Sequence, residues 1–302
     1  MLISDLSAST MVTLGKPLPR TLTLRNGVEF PAVGLGTFRA QDDDARNAVM
    51  AALRLGLRHI DTASIYKNEG PIREALAASG VPRGEVFVTS KVSPYEQGAG
   101  RARKAVEGIM ERIGVQYLDL VLVHWPGVSR VAPDSSLNAQ MRWETWQELE
   151  RLYSEGRVRA IGVSNYEERH LRELLGRAAV KPMVNQFEVH PRRQRLELRQ
   201  LCKQEGIAVV AYASLGCADL LNHPTVTRVA AEVRRTPAQV LLRWALQGGC
   251  AVIPKSVRPE RIAEWREDLL LGGDWRLSQE QVTALEGLED GHKYCWDPSA
   301  VM

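Results

Sequence analysis

Four residues in the first half of the chain have the types and the spacing to move a proton. Asp61 closes the apolar stretch "LRHID", Tyr66 follows five residues later, Lys91 comes straight after "VFVTS", and His124 straight after "LDLVLV". Taken singly, each has an ordinary structural explanation: a hydrogen-bonded buried Asp, a packed Tyr, a solvated Lys, a core His. At the ends of successive apolar runs they form a chemical group. A phenol titrates near pH 10 and is a reluctant acid at neutrality. A neighbouring ammonium favours the phenolate, so Lys91 is expected to lower the proton affinity of Tyr66. Asp61 would keep Lys91 charged as its ion-pair partner. His124 would donate a hydrogen bond to a substrate oxygen and orient it. The expected chemistry is general-acid transfer of a proton to an oxygen that is gaining negative charge.

Such a group needs a scaffold that brings four distant segments to one rim. Eight short apolar runs read as strands: 32–36, 57–61, 86–90, 118–123, 158–164, 183–187, 207–212 and 250–254. Amphipathic segments of helical period lie between them, among them Asp44 to Leu55, Ala102 to Ile113, Arg142 to Ser154, Arg195 to Glu205 and Thr236 to Ala245. Alternating strands and helices imply parallel pairing with right-handed crossovers, and eight such units predict an α/β fold closed as a (β/α)8 barrel. The site of such a barrel lies at the C-terminal ends of its strands. A doubly wound nucleotide-binding sheet is the rival, but no G-x-G-x-x-G opens a helix after a strand. Ahead of the barrel, "TLTLRNGVEF" alternates about Asn26-Gly27 and predicts a β-hairpin capping one end.

Length and composition agree with one large domain. The 302 residues are divided into a loosely ordered extension, 1–20, and a single barrel domain, 21–302. A net charge of +3, spread without basic blocks, excludes a nucleic-acid binder. No apolar run is long enough to span a bilayer, and the N-terminal stretch lacks the basic and apolar regions of a secretory leader, so a cytoplasmic protein is expected. The four cysteines, Cys202, Cys217, Cys250 and Cys295, show no C-x-x-C pair and no metal spacing, which predicts free thiols and no metal. The loop 126–140 is long for a βα connection and is expected to fold over the barrel mouth and select substrates, joined there by the C-terminal segment 291–302. Ser278 and Gln281 have the spacing of a capping box, opening a helix that runs to Leu288.

The stretches "GLGTF" (34–38), "HIDTASIY" (59–66), "VTSKV" (88–92), "LVHWP" (122–126), "GVSNY" (162–166), "NQFEVHP" (185–191) and "IPKSVRPERIAE" (253–264) together resemble the aldo-keto reductases, from about Thr21 to Pro298. The resemblance implies a (β/α)8 barrel that reduces aldehydes or ketones with NADPH. It implies Tyr66 as proton donor, Lys91 and Asp61 as its tuning pair, and His124 as the residue orienting the carbonyl. Gly36 and Thr37 fall in a motif at the cofactor. Ser164, Asn165 and Gln186 match positions that hold the nicotinamide carboxamide, and Tyr212 matches the ring stacked on the nicotinamide. Ser214 and Leu215 match contacts to the pyrophosphate. Lys255, Ser256 and Arg261 match the grip on the 2′-phosphate of NADP, with Glu264 facing the adenosine. Two cations and a hydroxyl after the last strand suit a phosphate on chemical grounds as well.

Departures from the family's pattern carry expectations of their own. Trp265 stands where an asparagine is usual at the adenine, which predicts stacking there in place of hydrogen bonding. "ASLG" (213–216) replaces serine-proline-leucine-glycine, and Phe38 replaces a frequent tryptophan. Phe38, Trp125, Tyr294 and Trp296 are expected to line an aromatic pocket for a small-molecule carbonyl substrate. A monomer is expected. The alternative is a barrel that binds the cofactor in a structural or regulatory role without physiological turnover.

Overall fold

The computed structural model describes residues 16–302. The first fifteen residues of the expected N-terminal extension lie outside the described residues. Within the described part of that extension, the Leu18 N–H donates to the Leu271 carbonyl at 2.9 Å.

Strands β1 (Thr21–Thr23) and β2 (Glu29–Pro31) pair antiparallel. Gly27 adopts φ 82°, the left-handed conformation a tight turn needs, and the Leu24 N–H reaches the Val28 carbonyl at 2.9 Å. Phe30 of this hairpin packs edge-on to His59 and Phe87, at centroid distances of 4.8 and 5.0 Å. Those two residues are the first of their strands, so the hairpin caps the N-terminal end and leaves the opposite rim open.

The barrel comprises β3 (Leu35–Gly36), β4 (His59–Asp61), β5 (Phe87–Val92), β6 (Leu120–Val123), β7 (Ile161–Ser164), β8 (Val184–Glu188), β9 (Ala208–Tyr212) and β10 (Ala251–Val252). Neighbours in sequence are neighbours in space and all pair in parallel. Closure runs through Val33, which bridges Val252, and through the Gly36 N–H, which donates to the Pro254 carbonyl at 2.9 Å. A Cβ on Gly36 would lie 2.7 Å from the Ile253 carbonyl oxygen, so only glycine lets first and last strands approach this closely.

Helices α1 (Asp42–Arg54), α2 (Glu69–Ala78), α3 (Arg101–Ile113), α4 (Leu137–Ser154), α5 (Glu168–Leu175), α6 (Leu196–Gln204), α7 (Pro224–Val233), α8 (Pro237–Gln247), α9 (Pro259–Ala263), α10 (Glu267–Leu271) and α11 (Gln279–Glu286) complete the chain. In α3 the buried residues Ala102, Ala105, Val106, Ile109, Met110 and Ile113 recur three and four apart, the stripe that seats a helix on a sheet. One apolar cluster joins helices to strand backs, and a second fills the barrel with Leu120, Leu122, Val184, Val210 and Ala251. The Ser278–Gln281 capping box forms as its spacing predicts.

One boundary differs. Helix α4 begins at Leu137, five residues before the periodicity indicates, so the loop after β6 is shorter than expected. The cause is Asn138, a buried side chain that accepts from the Val128 N–H at 2.9 Å and donates to the Ala132 carbonyl at 2.8 Å. It draws the helix start into the loop. Among the described residues no helix is long and apolar enough to cross a membrane, no cluster of three or more potential ligands could hold a metal, and all four cysteines are free.

Candidate active site

The C-terminal rim brings Asp61, Tyr66, Lys91 and His124 together. Asp61 ends β4, Lys91 is the penultimate residue of β5, and His124 follows β6 directly. Tyr66 ends a short 3₁₀ turn, Ser64–Tyr66. That turn is held from one side by Gln41, whose Nε2 donates to the Tyr66 carbonyl at 2.9 Å. Buried Asn68 reaches the Thr37 and Ala40 carbonyls, both at 2.9 Å. Lys91, fully buried, donates from Nζ to Asp61 Oδ1 at 2.5 Å and to the Thr62 carbonyl at 2.9 Å. The Tyr66 ring lies 5.2 Å from that ammonium and 5.7 Å, edge-on, from the His124 imidazole.

The electrostatics correct one expectation. Tyr66 is pushed well above its usual value, first by burial and then by the Asp61 and Cys295 charges, rather than lowered by Lys91. Asp61 is ion-paired to Lys91, so the pair presents little net positive charge to the phenol and desolvation dominates. Tyr66 is therefore a neutral phenol at ordinary pH. Burial also holds Lys91 below its usual value against the opposing pull of Asp61. His124 is held well below its usual value by burial and then by Lys91, which leaves a neutral imidazole.

Beside this group stands a cluster of amides and hydroxyls. Gln186 Nε2 donates to Asp61 Oδ2 at 2.7 Å, and Ser164 Oγ donates to the Gln186 carbonyl at 2.8 Å. Asn165, at φ 62°, donates from Nδ2 to the His124 carbonyl at 2.9 Å, and its Oδ1 accepts from the Tyr212 hydroxyl at 2.6 Å. The Tyr212 ring is thereby fixed at the end of β9. Thr37 donates from both its N–H and its hydroxyl to the Asp61 carbonyl, each at 3.0 Å. Gly36 serves barrel closure. Ser214 and Leu215 follow β9 in a loop with left-handed residues Ala213, Cys217 and Ala218.

After β10, Lys255 and Arg261 are exposed, while Ser256 is buried with its Oγ accepting from the Arg258 N–H at 3.1 Å. Arg258, which the sequence reading did not single out, is a third exposed cation on this turn. Among the described residues none of the three has a carboxylate within ion-pairing distance. Glu264 Oε2 accepts from the Thr236 hydroxyl at 2.6 Å, which joins the end of α9 to the start of α8. Trp265 lies in the apolar core at 2% exposure, so the expected stacking on an adenine is ruled out by burial.

Three of the four expected pocket aromatics meet the site. Phe38 packs on Tyr66 at 5.1 Å, Trp125 lies beside His124 at 6.2 Å, and Trp296 packs edge-on to Trp125 at 4.7 Å. Tyr294 does not join them. Its hydroxyl donates to Asp219 Oδ2 at 2.6 Å, its N–H to Glu188 Oε1 at 2.8 Å, and its ring packs on His190 and His292. It clasps the C-terminal segment to the loop after β9. Cys295, which sequence reasoning passed over, sits near both Tyr66 and Tyr212, its thiol pushed up to about 12 by burial. A lone cysteine in a tail carries no pattern that could have flagged it.

Fold and site define a (β/α)8 barrel whose C-terminal rim gathers Asp61, Tyr66, Lys91 and His124. A profile of the Aldo/keto reductase family matches residues 32–290, and the chain belongs to that family. It is 42% identical to the glyoxal reductase of Bacillus subtilis (strain 168) over 286 residues, 94% of this chain and 98% of the relative. Among solved structures it is similar to MGS-M4, an aldo-keto reductase enzyme from a Medee basin deep-sea metagenome library, with TM-score 0.84, 38% identity, 92% of this chain and 98% of that one. A mutant of Gox0644 in complex with NADPH superposes with TM-score 0.84 at 33% identity, covering 93% of this chain and 98% of that one. Carbonyl reduction with a nicotinamide cofactor is the activity of the family.

Proposed function

We propose that the protein is an NADPH-dependent reductase of aldehydes or ketones in which Tyr66 is the general acid. The observation that carries the reading is the neutral Tyr66 phenol facing the buried Lys91 ammonium across 5.2 Å, with neutral His124 edge-on at 5.7 Å. NADPH, when bound, supplies the hydride that goes to the carbonyl carbon. The residues of this chain supply the proton and the field.

Neutral His124 donates an N–H hydrogen bond to the carbonyl oxygen and fixes its direction. As negative charge develops on that oxygen, the Tyr66 hydroxyl transfers its proton to it. The phenolate so formed faces Lys91, whose ammonium stabilises it at the moment it appears. Lys91 thus acts on the transition state although it does not lower the resting Tyr66. Asp61 keeps Lys91 charged and held in place. Phe38, Trp125 and Trp296 shield the reacting centre with apolar surface.

The residues present fit the cofactor. Tyr212, fixed by Asn165, offers a ring face, Ser164, Asn165 and Gln186 offer amide and hydroxyl partners, and Lys255, Arg258 and Arg261 have unpaired charges suited to a 2′-phosphate. The NADPH complex of Gox0644 supports NADPH over NADH, and the glyoxal reductase relative supports a small aldehyde as substrate. Four free thiols support a reduced compartment such as the cytoplasm, and the working form in this reading is a monomer.

The test is Tyr66→Phe, which removes one hydroxyl from a ring whose packing it preserves. Reduction of glyoxal by NADPH should fall by about 10² to 10⁴, while a fluorescence titration shows NADPH still bound. A variant that kept more than about a tenth of normal turnover would mean that another group is the proton donor.

A further inference from the structure

Ser64 opens the turn that ends on Tyr66 and is fully buried. Its hydroxyl donates to Glu96 Oε2. The same carboxylate oxygen accepts from the Ser93 N–H at 2.9 Å and from the Ser93 hydroxyl at 2.6 Å. Ser93 follows β5 and stands two residues beyond Lys91, and the Lys91 carbonyl itself lies 3.2 Å from Ser64 Oγ. One carboxylate oxygen therefore gathers three donors from two segments, one carrying Tyr66 and the other carrying Lys91.

We infer that Glu96 is a positioning residue for the reaction: through Ser64 it clamps the Tyr66 turn to the end of the strand that holds Lys91. The inference rests on the reading of Tyr66 as proton donor and adds a residue to it. Gln41 and Asn68 hold the turn from the side of the β3–α1 loop. The Ser64–Glu96 bond ties it to β5, the direction that sets the separation of phenol and ammonium. A hydrogen bond to a carboxylate is stronger than one between neutral groups and suits a fixed link between loops. The distance it fixes matters because the interaction of phenolate with ammonium varies inversely with separation, and a misplacement of about 1 Å at a reacting centre can cost about 10² in rate.

Ser64→Ala is the clean variant, because it cuts the link and leaves the bonds between Glu96 and Ser93 intact; Glu96→Ala removes both. Single-turnover oxidation of NADPH by glyoxal is followed for each variant, alone and in the Lys91→Met background, with Tyr66→Phe alongside. Both variants should react about ten- to a hundredfold more slowly when Lys91 is present and lose little further rate when Lys91 is already methionine, because the clamp acts through the phenol–ammonium separation. A wild-type rate in Ser64→Ala, or the same loss in both backgrounds, overturns the inference, since a merely supporting role slows the enzyme whether or not Lys91 is there. A loss in Glu96→Ala alone overturns the clamp as well, by tracing the effect to the 93–96 turn. If Tyr66→Phe keeps its turnover, the proton donor itself is misassigned, a failure distinct from that of the clamp.

Discussion

Replacing Lys91 by methionine separates what the buried ion pair does for stability from what it does for the reaction. The change removes the bond to Asp61 Oδ1 at 2.5 Å and the bond to the Thr62 carbonyl at 2.9 Å. It leaves the Asp61 carboxylate, whose side chain is 3% exposed, with the Gln186 amide at 2.7 Å as its side-chain partner. Breaking a buried pair by removing one member costs about 3 to 5 kcal/mol, because the remaining charge is left uncompensated. That is a large share of the roughly 5 to 15 kcal/mol that holds a folded protein together. Urea unfolding should therefore show a clearly lower midpoint for Lys91→Met. Adding Asp61→Asn removes the stranded charge, so the double variant should regain about half of the loss or more. Catalysis behaves differently, since neither variant has an ammonium to meet the Tyr66 phenolate, and both should reduce glyoxal about 10² or more below the wild type. A double variant no more stable than Lys91→Met would refute the stranded-charge account. Recovery of turnover together with stability would show that the pair is structural only.

Three further outcomes are expected. Arg261→Ala should weaken NADPH binding about tenfold or more and leave NADH nearly unchanged, because hydrogen bonds to charged groups are worth about 1.5 to 3 kcal/mol each; equal losses in titrations with both cofactors would place the phosphate elsewhere. Removing residues within the loop 129–135 should reorder a panel of aldehydes by kcat/KM without changing the NADPH dissociation constant, and an unchanged order would make the loop a bystander. His59, buried at the capped end, is held from its ordinary 6.5 down to about 4, chiefly by burial. Its folded value is the depressed one, so its contribution is fully present above pH 6.5 and is lost as pH falls from there to about 4, about 3 kcal/mol at 1.36 kcal/mol per pH unit. The stability of His59→Phe should fall less steeply over that interval, and parallel curves from chemical unfolding would contradict the assignment.

The sequence by itself determined the barrel and the identity of its rim. Strand positions follow from β-branched apolar runs buried on both faces, a pattern that the parallel sheet imposes locally, and each of the eight expected runs overlaps an observed strand. Asp61, Lys91 and His124 were legible because each stands at a strand end, and strand ends of a barrel share one rim whatever the details of packing. The Ser278 cap was legible for the same reason, being a matter of four consecutive positions. The tertiary structure alone decided whatever depends on segments meeting from afar. Tyr294 and Trp265 have the residue types of a binding pocket, yet one clasps Asp219 and the other is sealed in the core, because their places are set by which loop or helix covers them. The start of α4 was set by Asn138 bonding across its own loop, which periodicity cannot register. The state of Tyr66 was decided in the same way: the sequence supplied an ammonium to acidify it, but only the folded barrel paired that ammonium with Asp61 and removed the water, and desolvation then outweighs the remaining field.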